Sequence, residues 1–133
     1  MDPFIRLQSV AKRYPSAHSF VTVMENFDFT AERGEFLAVM GRSGAGKTTL
    51  LNLIGGLDTP DNGKVMVAGT WLNGLDQHAL TRWRAAHVGF VFQSHYLMPM
   101  LTAADNVALP LMLTRLSRKA RREKVEMALA RVG

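Results

Sequence analysis

The sequence predicts an α/β protein with an antiparallel β portion near its N-terminus. Two apolar segments, in residues 4–10 and 20–29, show strand-like patterning before any helical pattern begins, and such neighbours usually pair locally. Apolar runs and helical periodicity then alternate through the rest of the 133 residues, which is typical of a parallel sheet with crossover helices. A glycine-rich loop at 41–48 lies where the two patterns meet.

The first strands differ in the quality of their patterns. The segment at 4–10 alternates imperfectly, whereas residues 20–29 (FVTVMENFDF) alternate well. Residues 36–40 (FLAVM) form a short continuous apolar run, as expected for a buried strand. A helix is predicted to begin near Lys47, because an apolar stripe at helical spacing follows the loop: Leu50, Leu53, Ile54 and Leu57.

Turn-forming residues at 58–63 end this helix and precede a short strand at 65–68. A second helix is predicted over residues 76–87, with Asp76 as its N-cap. The apolar residues 88–92 (VGFVF) then predict another buried strand.

The C-terminal region is predicted to be helical. Thr102 begins a capping-box-like TAAD sequence, and the helix that follows is expected to be interrupted or restarted at Pro110. The last helix is predicted to run from near Ser117 to Gly133. Residues 115–133 carry seven Lys or Arg and two Glu, which accounts for the whole net charge of +5. The alternatives for this basic stretch are a nucleic-acid surface, an anionic membrane surface and a solvated helix face. The solvated face is favoured, because an apolar stripe at helical spacing places most of the basic side chains on the opposite side and no aromatic residue lies among them.

The loop GRSGAGKT matches the phosphate-binding pattern G-x-x-x-x-G-K-[ST] at every fixed position. Its glycines allow a tight turn that brings backbone N–H groups against phosphate oxygens, and the following helix N-terminus favours an anion there. Lys47 is placed to reach the outer phosphates, and the Thr48 hydroxyl is a ligand for magnesium. The alternative, a simple glycine turn between a strand and a helix, does not explain the complete motif.

Composition excludes several kinds of bond, site and targeting segment. The chain has no cysteine, which excludes disulfides and thiolate metal sites. Its first residues lack the charged and apolar regions of a signal peptide, and no apolar run approaches the roughly 18 residues of a membrane span. The expected location is cytoplasmic, and any membrane crossing would belong to another chain.

Several separate segments together resemble the N-terminal part of an ABC transporter ATP-binding subunit, of the lipoprotein-release and macrolide-export type. Tyr14 in KRYPS stands where the family has an aromatic residue that stacks on adenine. GRSGAGKT corresponds to the family's Walker A loop, and TPDNGKVMVAG to its P-x-x-G-x-V turn and strand. VGFVFQSHYLMPMLTAADNV resembles the strand and loop that carry the family's glutamine, here Gln93.

The resemblance implies ATP and Mg²⁺ as cofactors. Lys47 and Gln93 are the implied catalytic residues, and Thr48 and Gln93 the implied metal ligands. The implied nucleotide-binding residues are Tyr14, Gly41, Arg42, Ser43, Gly44, Ala45, Gly46, Lys47, Thr48 and Thr49. Without the resemblance, Tyr14 would be read as a surface tyrosine and Gln93 as a polar strand end.

The family's second half has no counterpart in this sequence. Residues 1–133 contain no LSGGQ-type signature, no Walker B strand ending in Asp-Glu and no switch histidine. The expected fold is therefore an ABC-type P-loop nucleoside triphosphatase domain that is incomplete at its C-terminus, a truncated frame or a fragment. Catalysis by the chain alone is not expected, because the second metal carboxylate and the water-activating Glu are missing.

The predicted function is an ATP-binding subunit, or a truncated form of one, that energises transport by a separate membrane-spanning subunit. The resemblance implies contact with that subunit through residues 93–101, from Gln93 to Leu101, and a peripheral position on the inner face of the membrane. It also implies an ATP-dependent dimer of the longer form. The alternatives are a non-catalytic nucleotide-binding module and a soluble ABC-type ATPase acting on nucleic acid. A GTPase is disfavoured, because the nearest string to N-K-x-D is NGLD at 73–76.

Overall fold

A computed structural model describes residues 3–133. The chain forms two compact units, the first reaching Gly89 and the second spanning Phe90–Gly133. Each unit has its own arrangement of elements.

A four-stranded antiparallel sheet organises the first unit. It contains β1 (Ile5–Pro15), β2 (Phe20–Ala31), β3 (Asn62–Val67) and β4 (Thr70–Trp71), in the spatial order β2-β1-β3-β4. Strand β1 is central, since its Ile5 lies opposite Ala31 of β2 and Val67 of β3. The predicted antiparallel N-terminal portion is thereby confirmed.

A bulge in β1 explains why its sequence alternates imperfectly. The pairing with β2 shifts between Leu7 and Val10, and Ser9 between them has a positive φ of 47°. Residues three apart would face opposite sides of a regular strand, but the bulge turns both Leu7 and Val10 into the core. Gly63 (φ +83°) permits this bend, because a Cβ there would clash with the carbonyl oxygens of Gln8 and Ser9.

Two helices pack with the sheet to form the core of the first unit. Helix α1 (Lys47–Ile54) follows the glycine loop, and helix α2 (Gln77–His87) begins at the predicted cap, where Asp76 accepts a hydrogen bond from the Ala79 N–H at 2.7 Å. The buried core residues are Leu7, Val10, Met24, Leu50, Leu53, Val65, Val67, Leu72, Leu80 and Trp83. Helix α1 ends earlier than predicted, because Gly55 and Gly56 follow it and Gly56 has a positive φ of 66°.

The predictions of strands at 36–40 and 88–92 are wrong for this structure. Neither segment has regular secondary structure, and neither pairs with another strand in residues 3–133. Most of their apolar side chains are exposed: Phe36 is 97% accessible, Met40 88% and Val91 fully accessible. Val88 is instead partly buried against the core of the first unit. The physical reason is that a parallel strand needs hydrogen-bonded neighbours, and the described part of the chain offers none to these segments.

The second unit contains two helices, α3 (Ala103–Met112) and α4 (Arg118–Ala130). Thr102 caps α3 by accepting a hydrogen bond from the Asp105 N–H at 3.1 Å, as predicted. The expected interruption at Pro110 is wrong, because α3 continues through it to Met112. A proline this close to the end of a helix removes a single backbone hydrogen bond.

Helix α4 begins as predicted and ends slightly early. Ser117 caps its N-terminus by accepting from the Ala120 N–H at 3.2 Å. The helix ends at Ala130, three residues before the predicted Gly133, because the N–H of Val132 turns back to the Leu129 carbonyl in a tighter final turn.

Candidate functional site

The glycine loop at 41–48 joins an extended connection to α1. Gly44 and Gly46 have φ values of 80° and 84°, in the left-handed region that glycine adopts without a steric cost. The Ala45 N–H closes a turn on the Arg42 carbonyl at 3.2 Å. A Cβ on Gly46 would lie 3.0 Å from Cγ1 of Val23, so β2 packs against the loop and also requires glycine there.

The N-terminus of α1 has no side-chain cap. Helices α2, α3 and α4 begin at Asp76, Thr102 and Ser117, each of which accepts a hydrogen bond from a backbone N–H of its own first turn. Helix α1 instead begins after Gly46, which has no side chain to accept such a hydrogen bond. The first N–H groups of a helix lack intrahelical partners, so an anion at this end gains several donors together with the favourable helix dipole.

Lys47 places a positive charge within the same loop. Its ammonium group donates hydrogen bonds to the carbonyl oxygens of Gly41 (2.9 Å) and Arg42 (2.6 Å). The side chain therefore folds back along the loop instead of extending into solvent. The Thr48 side chain is exposed beside it, and its hydroxyl oxygen is the hard ligand type that Mg²⁺ prefers. Thr48 therefore fits a magnesium ion held with a phosphate at this loop.

Tyr14 lies near the first turn of α1. Its hydroxyl oxygen is 3.4 Å from Oγ1 of Thr49, the residue that directly follows the loop. The Tyr14 hydroxyl donates a hydrogen bond to Oδ2 of Asp58 at 2.8 Å, and the ring is partly buried. Thr49 itself is buried, and its hydroxyl is the group that lies next to Tyr14. Its backbone N–H belongs to the first turn of α1.

A partly buried ion pair between Lys12 and Asp58 supports Tyr14. The Lys12 ammonium donates to Oδ1 of Asp58 at 2.7 Å and to the Thr59 carbonyl at 2.8 Å, and it lies 5.1 Å from the centroid of the Tyr14 ring. Burial favours the neutral form of the Asp58 carboxyl, but hydrogen bonds from Lys12 and Tyr14 outweigh burial and hold its pKa below the ordinary value. Burial, reinforced by the hydrogen bond to Asp58, raises the pKa of Tyr14.

Gln93 belongs to the second unit. It is exposed and lies in a segment without regular secondary structure. The structure brings the other predicted site residues together in the first unit: Tyr14, the residues of the loop 41–48, and Thr49.

The end of the loop 93–101 is held by a residue that the sequence analysis did not select. The Asn106 side-chain oxygen accepts from the Met98 N–H at 2.8 Å, and its amide nitrogen donates to the carbonyls of Met98 and Thr102 at 3.2 and 3.0 Å. The Met98 and Met100 side chains stay exposed.

The sequence analysis also missed Lys12 and Asp58, because an isolated lysine and aspartate 46 residues apart carry no sequence signal.

A profile of the family described as ABC transporter matches residues 24–133. The chain belongs to this family. It is 41% identical over 132 residues to macrolide export ATP-binding/permease protein MacB 2 of Aeromonas hydrophila, and 38% identical over 132 residues to lipoprotein-releasing system ATP-binding protein LolD of Idiomarina loihiensis. Both matches include 99% of this chain. The predicted resemblance to the ABC transporter family is confirmed.

A solved structure shows the same fold. The ATP-binding cassette MJ0796, in a dimeric post-hydrolysis state bound to ADP and Pi, superposes with a TM-score of 0.85 at 38% identity over 95% of this chain. The predicted ABC-type fold class is thereby confirmed. The chain spans 56% of that cassette, 58% of the LolD protein and 20% of the MacB protein. None of the helices in residues 3–133 is both long enough and apolar enough to cross a membrane.

Proposed function

We propose that the chain is the N-terminal part of an ABC-type ATP-binding domain and binds ATP with Mg²⁺ at the loop 41–48. The observation that carries this proposal is the combination of the uncapped N-terminus of α1 with the Lys47 ammonium folded into the loop. Backbone N–H groups and one cation then converge on the same small region, which is the chemistry that a triphosphate requires. The solved cassette MJ0796, similar in fold, is described with bound ADP and Pi.

The remaining parts of the nucleotide have candidate contacts nearby. The Tyr14 ring offers a flat apolar surface for the base, close to Thr49 at the end of the loop. Thr48 would hold the magnesium ion, which when bound neutralises phosphate charge. Gln93 remains a proposed second ligand or water-orienting group, on the strength of the family motif.

The proposed role in the cell is to energise a membrane-spanning transporter subunit from the cytoplasmic face. Relatives named for macrolide export and for lipoprotein release support this role. The proposed contact is the loop 93–101, where Met98 and Met100 are exposed while Asn106 holds the backbone. Flexible, polarisable methionine side chains suit a surface that adapts to a partner. Dimerisation on ATP is proposed for the longer form only.

The binding proposal is tested by titrating the purified chain with ATP and Mg²⁺ in a calorimeter. Lys47→Ala should weaken binding at least about tenfold, because hydrogen bonds from a charged donor to phosphate are strong. Lys119→Ala is the matched control, since Lys119 is an exposed lysine on α4 and its replacement removes the same charge elsewhere. Equal loss of affinity in both variants would mean that general charge, and not the loop, binds the nucleotide.

A further inference from the structure

We propose that Asp58 is a positioning residue for base recognition, fixing the Tyr14 ring so that it presents one face to the base of a nucleotide bound at the loop 41–48. This inference rests on the nucleotide-binding function proposed above and adds a specific role for a residue outside the loop. It is carried by the contacts that Asp58 makes with Tyr14 and Lys12.

The Asp58 carboxylate uses its two oxygens for two different side chains. Oδ2 accepts the Tyr14 hydroxyl at 2.8 Å, while Oδ1 accepts the Lys12 ammonium at 2.7 Å. The Thr59 N–H also donates to Oδ1 at 2.7 Å, which fixes the rotation of the carboxylate. A carboxylate held at both oxygens is a rigid anchor for the tyrosine hydroxyl.

Lys12 contributes a second restraint on the same ring. Its ammonium group lies 5.1 Å from the centroid of the Tyr14 ring and is held there by Asp58 and by the Thr59 carbonyl. The cation lies over one ring face, so we assign the base to the opposite face. Tyr14 is thus restrained at its hydroxyl and across its ring, so little conformational entropy remains to be lost when a base stacks on it.

The anchor also joins the two parts of the site. Asp58 follows the end of α1, the helix whose N-terminus forms the phosphate site, whereas Tyr14 belongs to β1. The Tyr14 hydroxyl lies 3.4 Å from Oγ1 of Thr49, one residue beyond the loop. The hydrogen bond to Asp58 therefore fixes the distance between the base-stacking ring and the phosphate-binding turn.

The test compares two probes on the full chain, Mg²⁺-ATP and Mg²⁺-tripolyphosphate, which shares the phosphates but has no base. Asp58→Asn and Tyr14→Phe should each weaken ATP binding about threefold to tenfold, the effect of one lost hydrogen bond, and leave tripolyphosphate binding unchanged. The double variant should bind ATP no worse than Asp58→Asn alone, because Tyr14→Phe removes a hydrogen bond that Asp58→Asn has already disrupted. Asp61→Asn is the control, since Asp61 lies in the same turn and accepts from the Arg13 N–H at 2.6 Å, whereas the Tyr14 hydroxyl bonds to Thr49 and Asp58.

Several results would overturn the inference. If Asp58→Asn weakens ATP and tripolyphosphate equally, Asp58 supports the fold and not the base site. If the losses of the two single variants add, Asp58 does not act through Tyr14. Should Asp58→Asn fail to fold, Tyr14→Phe keeps the ring and tests the same bond, and wild-type affinity for ATP in that variant rejects the proposal. If the wild-type chain shows no Lys47-dependent binding of either probe, the proposed function itself fails, and this inference with it.

Discussion

At the scale of single residues, the side chains of Lys47 and Tyr14 are held by contacts of different range. Lys47 needs only the loop, because two carbonyl oxygens of that loop hold its ammonium group. Tyr14 needs distant residues, since its hydroxyl is fixed by Asp58 and its ring is covered by Lys12. The proposed phosphate contact is therefore local in sequence, whereas the proposed base contact depends on tertiary structure.

Tyr14→Ala should weaken the binding of ATP and GTP to a similar extent, while Tyr14→Trp should retain both. A stacked ring contacts the face of a base and reads little of its edge, and each stacked base contributes about 1–3 kcal/mol. Competition between the two nucleotides for a fluorescent ATP analogue measures both affinities in one assay. Unchanged affinity in the alanine variant would return Tyr14 to the role of a surface tyrosine.

Gly63→Ala should lower the free energy of unfolding by about 1–3 kcal/mol more than Gly69→Ala, because a new Cβ at 63 would overlap the backbone. Both glycines have positive φ, 83° and 75°, but only Gly63 faces the carbonyl oxygens of Gln8 and Ser9, whereas a Cβ on Gly69 would meet open space. Comparison of the two alanine variants therefore separates the cost of steric overlap from the cost of backbone strain. Urea denaturation of the two variants measures the difference, and equal losses would contradict the close approach at the bulge.

At the scale of elements, the ion pair between Lys12 and Asp58 connects β1 to the turn after α1. Lys12 is 10% accessible at its side chain and Asp58 25%, so the pair is partly shielded from solvent. Replacing the carboxylate by an amide leaves the buried ammonium with only neutral oxygen acceptors, so Asp58→Asn should cost about 1–3 kcal/mol of stability at neutral pH.

The same pair predicts a dependence of stability on acid pH. The folded pKa of Asp58 lies below its ordinary value of 3.8, so its stabilising effect is complete above that value and is lost as the pH falls through the folded pKa. Asp58→Asn should therefore show a smaller loss of stability below about pH 4 than the wild type. Thermal melts across this range test the sign, with Glu126→Gln on the exposed face of α4 as the control. A wild-type curve parallel to that of Asp58→Asn would contradict the assignment.

At the scale of the whole molecule, the sequence patterns whose partners lie nearby in the chain predicted the structure best. The caps at Asp76, Thr102 and Ser117 and the alternating strand at 20–29 needed only neighbouring residues to form. The segments at 36–40 and 88–92 have equally strong apolar patterns, but a parallel strand depends on partners far away in sequence, and none pairs with them in residues 3–133. The site residues follow the same rule. A sequence motif marks the loop 41–48, whereas the contacts of Asp58 with Tyr14 and Lys12 form only when β1 has folded into the bulged sheet.

The exposed apolar segment 36–40 should make the purified chain prone to association in solution. Phe36 is 97% accessible and Met40 88%, so the purified chain should bind the dye ANS and associate at high concentration. The double variant Phe36→Ser, Met40→Ser should reduce both effects. Phe20→Ser is the control, because Phe20 is 70% accessible but lies in the paired strand β2. Equal dye binding in wild type and double variant, measured by fluorescence and sedimentation, would show that 36–40 is covered in solution.

The central proposal is that residues 1–133 bind a nucleoside triphosphate at the loop 41–48 and do not hydrolyse it on their own. The most direct measurement incubates the chain with Mg²⁺-ATP labelled in its γ-phosphate and counts both the label retained on the protein and the label released as phosphate. We predict that retention depends on Lys47 and that release equals that of the Lys47→Ala variant, because residues 1–133 contain no Walker B carboxylates and no signature. Retention that is the same in both proteins, or Lys47-dependent turnover at about 1 s⁻¹ or faster, would contradict the account.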